Sequence, residues 1–145
     1  MITNKKATIA DLESIAPLFN AYRVFYRKVS DLDAASAFIK DRISNAESII
    51  YLAFFDKEPA GFTQLFPIFS STRLKRLWLL NDLYIDKRHR GKGISKMLLE
   101  KSKKLTKDTN ATAVILETEK TNAIGNQLYP STGFTLEDDV NHYCW

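Results

Sequence analysis

Apolar positions change their spacing several times along this chain, and each change marks an element. Leu12, Ile15, Ala16, Phe19, Ala21 and Tyr22 recur at three- and four-residue intervals, which is one face of a helix. Asp11 stands where an N-cap belongs, and Pro17 inside the stretch implies a kink or a late start. Just before it, Lys6 to Ala10 alternates like an edge strand. A second helix is expected from Asp33 to Ser44, with Ala34, Ala37, Phe38 and Arg42 near one side. Glu47 to Phe55 and Ala60 to Phe69 read as two strands joined by Asp56-Lys57-Glu58-Pro59, a turn with hairpin residues. Arg76 to Ile85 predicts a fourth strand, and the helix after it carries the stripe Ile94, Met97, Leu98 and Leu105, which suits packing on a sheet. Ala113 to Thr118 predicts a fifth strand, a helix from Asn122 ends at Pro130, and Phe134 to Glu137 with Asn141 to Trp145 closes the chain around Asp138-Asp139. The fold class is therefore mixed α/β.

At 145 residues and 45% hydrophobic content the chain fits one domain, residues 1–145, large enough to bury a core. The single cysteine, Cys144, rules out an internal disulfide, and the polar opening Met1 to Lys6 does not read as a signal peptide. Ile49 to Phe55, the longest apolar run, is too short to cross a membrane, so no membrane partner and a cytoplasmic location are expected. His142 and Cys144 would share a side of a terminal strand, but two ligands do not make a metal site, so no metal is expected.

The net charge is +4, with much of the excess between Lys87 and Lys92 and in Lys96, Lys101, Lys103, Lys104 and Lys107. A nucleic-acid partner is not expected, because alternating lysines on a helix form a solvated face and no interleaved aromatic stacking motif accompanies them. A local field for one highly anionic ligand explains the same charges.

Leu80 to Ser95 shows where that ligand belongs. An apolar strand runs into a short basic turn holding Gly91 and Gly93 and then directly into a helix, which aims free backbone N–H groups at phosphate. Arg88, Arg90 and Lys92 add full charges beside them. A P-loop needs four residues between its glycines, and the dinucleotide fingerprint needs a third glycine where Lys96 stands. What remains is the short form Arg-x-x-Gly-x-Gly, Arg88 to Gly93. By period-two alternation, Trp78, Leu80, Asp82 and Tyr84 share one face of the strand before it.

Downstream lies Asn122-Ala123-Ile124-Gly125-Asn126-Gln127-Leu128-Tyr129-Pro130-Ser131-Thr132-Gly133-Phe134, preceded by the β-prone run Ala113 to Thr118. The two segments together, from about Leu77 to Phe134, resemble the GNAT superfamily of acetyl-CoA-dependent N-acetyltransferases. Gly125 departs from the usual alanine, and Pro130 directly follows the tyrosine. The resemblance implies a central, mostly antiparallel twisted sheet of six to seven strands flanked by about four helices and splayed between the fourth and fifth strands. It implies acetyl-CoA as cosubstrate, with its pyrophosphate on Arg88, Arg90, Gly91, Lys92, Gly93, Ile94 and Ser95. The main chain of Leu83, Tyr84 and Ile85 would hold the acetyl-pantetheine end, helped by Asn122, and Tyr129 would donate a proton to the thiolate.

The acceptor pocket implied by the resemblance involves Tyr22, Arg23, Phe25 and Tyr26 with Trp78 facing them. The base is left open between Asp82 and Glu117, either of which can equally be a structural hydrogen-bond acceptor. The implied reaction is acetyl transfer to a primary amine, on a small molecule, a protein lysine or an N-terminus, by direct attack in a ternary complex. A non-catalytic acetyl-CoA sensor of the same fold is the alternative, followed by a basic nucleic-acid binder. Similarity to small bacterial members and to the yeast histone and polyamine acetyltransferase group adds an expected homodimer, formed through the aromatic C-terminal strand.

Overall fold

The computed structural model describes all 145 residues, Met1–Trp145. Its elements are β1 (Ile2–Lys6), α1 (Leu12–Phe25), α2 (Leu32–Ser44), β2 (Ile49–Phe55), β3 (Glu58–Ser70), β4 (Lys75–Ile85), α3 (Ile94–Asp108), β5 (Ala113–Ile115) and α4 (Ala123–Ser131). One sheet has the order β1-β2-β3-β4-β5. The first four strands pair antiparallel, and β5 joins β4 in parallel.

The first strand lies earlier than the sequence pattern predicts, because Ile2 to Lys6 pairs with Phe55 to Tyr51 of β2. The stretch read as its second half is a short turn, Ile9–Asp11, in which Thr8 N–H donates to Asp11 at 2.8 Å and Lys5 Nζ sits 2.7 Å from the same carboxylate. α1 continues through Pro17. The flanking Ile15, Ala16, Leu18 and Phe19 are all buried, and that packing outweighs one missing backbone bond.

Helices cover both faces of the sheet. On one, Ile15, Phe19 and Ile39 of α1 and α2 pack against Leu52, Phe62 and Tyr84. On the other, Leu98, Leu99 and Leu105 of α3 pack against Ala60, Leu65, Trp78 and Leu80. Ile15 and Ile39 are fully buried, so truncating either to alanine costs about 2–5 kcal/mol.

Two features of β4 prepare the site. Leu80 lies opposite Leu65 and Asp82 opposite Gln64, which leaves Asn81 as an extra, bulged residue. A bulge reverses side-chain alternation, so Trp78 and Leu80 face α3 whereas Asp82 and Tyr84 face α1. The β4–β5 ladder covers only Leu77 to Leu79. Beyond it the two strands part, and the outer edge of β4 has no strand partner.

The sheet has five strands, not six to seven. Neither Phe134 to Glu137 nor Asn141 to Trp145 forms a strand, and Leu136, Val140, Tyr143 and Trp145 are exposed. The physical reason is the edge available: β5 has three residues and Ile115 at its end is partly exposed, too short a template for further pairing.

Candidate active site

The turn after β4 presents backbone. Asp86 caps it by accepting from Arg88 N–H at 2.9 Å. Gly91 has φ 73° and Gly93 φ 84°, and Gly93 is the N-cap of α3. A Cβ added at either glycine would meet nothing within 4 Å. Positive φ selects glycine here, and the space in front is an open cradle onto which the first N–H groups of α3 face without intrahelical acceptors. Of the expected anion-binding groups, Gly91, Gly93, Ile94 and Ser95 therefore stand together at this opening.

The basic side chains of the turn are occupied by the chain itself. Arg88 Nε lies 3.1 Å from Asp86, and its Nη1 is 3.8 Å from Glu58. Arg90 Nε donates to the Ile85 carbonyl at 3.1 Å, with its guanidinium 5.7 Å from the Phe25 ring and 5.9 Å from that of Tyr84. Lys92 Nζ lies 3.8 Å over Phe55. His89, which the sequence presents as one more basic residue, is buried between Phe55 and Glu58.

A cleft of about 470 Å³ opens between α1, α2 and the β4 bulge, lined by Tyr22, Arg23, Tyr26, Phe38, Asn81 and Asp82 among others. Asp82 is 2% exposed. Gln64 Nε2 donates to its Oδ2, and Asn81 Nδ2 to its Oδ1 at 2.9 Å. Burial pushes the Asp82 carboxyl above the ordinary range, partly offset by hydrogen bonds from Gln64, Asn81 and Tyr22. The Tyr22 hydroxyl donates to the Asn81 carbonyl at 3.2 Å, and its ring meets Tyr26 edge-on at 5.1 Å. Burial, reinforced by the Asp82 charge, raises the Tyr22 phenol far above its usual value.

Tyr129 is held by the end of α4. Gly133, φ 93°, lets its N–H reach the Pro130 carbonyl at 3.1 Å while Phe134 N–H reaches that of Tyr129 at 3.0 Å. This is a Schellman cap, and its usual apolar contact is the Tyr129–Phe134 ring pair at 5.9 Å. The Tyr-x-x-x-Gly-Phe spacing is thus a device that fixes the phenol. Pro130 sits in the last turn of α4, which ends one residue later at Ser131, as expected of a proline where the helix is ending. Burial, with the Tyr26 charge second, pushes the Tyr129 phenol up to about 12.

Asn122 lies on the same rim, but both ends of its side chain are engaged. Its Oδ1 accepts from Gly125 N–H at 3.1 Å and its Nδ2 donates to Thr118 at 2.9 Å. A Cβ on Gly125 would stand 2.6 Å from that nitrogen, which explains the departure from alanine.

Three expected site residues lie elsewhere, and the first, Phe25 at the end of α1, is exposed and does not line the cleft of Tyr22 and Asp82. Trp78 is buried on the α3 side, where Nε1 donates to Thr109 at 2.9 Å, because the Asn81 bulge breaks the alternation that grouped it with Asp82. Glu117 is 78% exposed and faces His142 of the tail at 3.5 Å. The carboxylate beside Tyr26 is Glu119, paired with Arg27 at 2.7 Å. It borders a second cleft of about 440 Å³ between the end of α1 and the start of α4. Gln64, Asn81 and Glu119 carry no pattern by which a single sequence reveals them.

The profile of the Acetyltransferase (GNAT) family matches residues 12–134. The chain belongs to this family. A GNAT relative from Bacillus subtilis (strain 168), described as "Uncharacterized N-acetyltransferase YhfO", is 42% identical over 140 residues, covering 97% of this chain and 94% of that protein. A "Probable acetyltransferase" of Haemophilus influenzae is 32% identical over 113 residues, 77% of each chain. A crystal structure titled as that of a probable acetyltransferase superposes with TM-score 0.93 at 35% identity, covering 99% of this chain and 96% of that one. No cluster of His, Cys, Asp and Glu side chains of this GNAT domain is arranged to hold a metal ion, and no helix is long and apolar enough to cross a membrane.

Proposed function

We propose that the chain moves the acetyl group of acetyl-CoA to a primary amine, both substrates being bound at once. The observation that supports this best is the turn after β4, where two left-handed glycines open a helix beside a strand edge that β5 leaves uncovered, with a cleft holding a buried carboxylate at the bulge of the same strand.

The residues fit the cosubstrate. Backbone N–H groups from Gly91 to Ser95 take the pyrophosphate, and the outer edge of β4 at Leu83, Tyr84 and Ile85, where Arg90 must first yield the Ile85 carbonyl, takes the pantetheine amides in strand fashion. Acetyl-CoA supplies an acetyl thioester. Asp82 accepts the proton that an arriving ammonium must lose, directly or through water, and its raised pKa makes it a stronger base than a surface carboxylate. The freed nitrogen lone pair then forms the new bond to the acyl carbon. Tyr129, whose burial raises its pKa to about 12, gives its proton to the sulfur that takes the electron pair of the broken C–S bond. The second proton that the nitrogen sheds on becoming an amide returns to the Tyr129 phenolate, and Asp82 passes the first to solvent. No covalent enzyme intermediate is required, so positioning and electrostatics carry the acceleration.

A sensor that binds without turnover is the competing reading. The test is CoA calorimetry followed by thiol release across a panel of amines. Binding with release supports transfer, and binding without release from any amine points to the sensor.

A further inference from the structure

Two cations of the acceptor cleft have no partner. Arg23 and Lys28 both line it, and Arg23 Nη1 is buried with no hydrogen-bond acceptor. Neither side chain joins an ion pair, whereas Arg27, between them in sequence, is held by Glu119 at 2.7 Å. The C-terminal end of α1 attracts a cation in general, but it gives Nη1 no acceptor, and an unpaired buried guanidinium N–H is costly. The one carboxylate lining the cleft is Asp82, and its two oxygens already receive Gln64 and Asn81. The cleft is therefore polarised. A negative group sits at the β4 bulge, positive groups lie on α1 and the turn after it, and aromatic walls stand between.

We propose that the acceptor is a zwitterion, a primary amine joined by an apolar stem to a carboxylate. The amine meets Asp82, the stem runs along the rings of Tyr22, Tyr26 and Phe38, and the carboxylate is gripped by Arg23 with Lys28. Guanidinium geometry favours this, since its parallel N–H groups match the two oxygens of a carboxylate. The inference rests on the transfer reading above: the acceptor nitrogen forms the C–N bond as the C–S bond breaks, its first proton goes to Asp82 and on to solvent, Tyr129 protonates the sulfur, and the nitrogen's second proton restores Tyr129. It adds the identity of the group at the far end.

The experiment compares three amines of equal stem length, with acetyl-CoA as donor. ε-Aminocaproate carries the carboxylate, hexylamine carries nothing, and hexamethylenediamine places a second cation there. Expected kcat/KM falls in that order, with about tenfold or more between the first two, the size of one charge-assisted hydrogen bond. Arg23→Gln collapses the ratio toward one, Arg23→Lys restores part of it, and Lys28→Gln lowers it less. Thermal shift with CoA present, read for the same three compounds without turnover, follows the same order. Equal or reversed preference in the wild-type chain overturns the proposal. If hexylamine is acetylated and ε-aminocaproate is not, this inference fails alone. If CoA itself does not bind, the transfer reading fails, and this inference falls with it.

Discussion

The turn from Asp86 to Ile94 offers backbone, with its own cations folded onto Glu58, Ile85 and Phe55. The cleft under α1 offers side chains: one buried carboxylate, four aromatic rings and two cations left unpaired. The difference follows from what each must recognise. On the proposed reading the turn meets a diphosphate, which is the same in every reaction and which amide N–H groups at a helix start suit. An acceptor is particular, so its contacts come from side chains that differ in charge and reach. Backbone sites tolerate change in side chains and fail on glycines, while side-chain sites behave in the opposite way.

That contrast is broken most severely at the chemistry. Tyr129→Phe is expected to lower kcat by roughly 10²–10⁴ with CoA affinity kept, the range for a well-placed acid. Unchanged kcat in steady-state assays removes the proton-donor role. Asp82→Asn is expected to lower kcat/KM within the same rough range and to erase the acidic limb of the pH profile. That limb lies at the raised Asp82 pKa because the base must be ionised.

Gly93→Val tests the backbone half. A branched residue at φ 84° is strained by roughly 1–2 kcal/mol and its side chain enters the open cradle. CoA Kd should rise about tenfold or more, with little change in the preference among amines. Equal Kd would show that the turn does not hold the cosubstrate.

Asp82 also bears on stability. Its folded pKa lies above the ordinary 3.8, so between those two values the native state holds more protons than the unfolded one. Stability therefore falls as pH rises through that window. Denaturant titrations at several pH values should show this slope in the wild-type chain and not in Asp82→Asn. The smallest expected effect is Gly133→Ala. Its φ of 93° makes the substitution cost about 1 kcal/mol, a drop in Tm of about 2–4 °C for a domain of this size, together with a lower kcat as Tyr129 loses its cap.

Legibility divides along the same line. The strand-turn-helix geometry after β4 is legible because everything it needs is local: a strand, two glycines and a helix start lie within Leu80 to Ser95. Tyr129 was readable for a similar reason, since its cap lies within five residues of it. The cleft was half readable. Tyr22, Tyr26 and Asp82 meet there as expected, but Trp78 does not, because one extra residue at Asn81 turns the strand over and no residue type announces a bulge. Glu117 gave way to Glu119 because the chain leaves strand geometry after Ile115. The closing strands fail for want of an edge to pair with. These are long-range facts, set by where the sheet ends and how β4 parts from β5.

Amide hydrogen exchange with and without saturating CoA tests the central claim most directly, since the claim concerns backbone N–H groups. Exchange is expected to slow across Leu83 to Ile85 and Gly91 to Met97 and to stay unchanged in α2. Saturating binding with no added protection in either segment would contradict it.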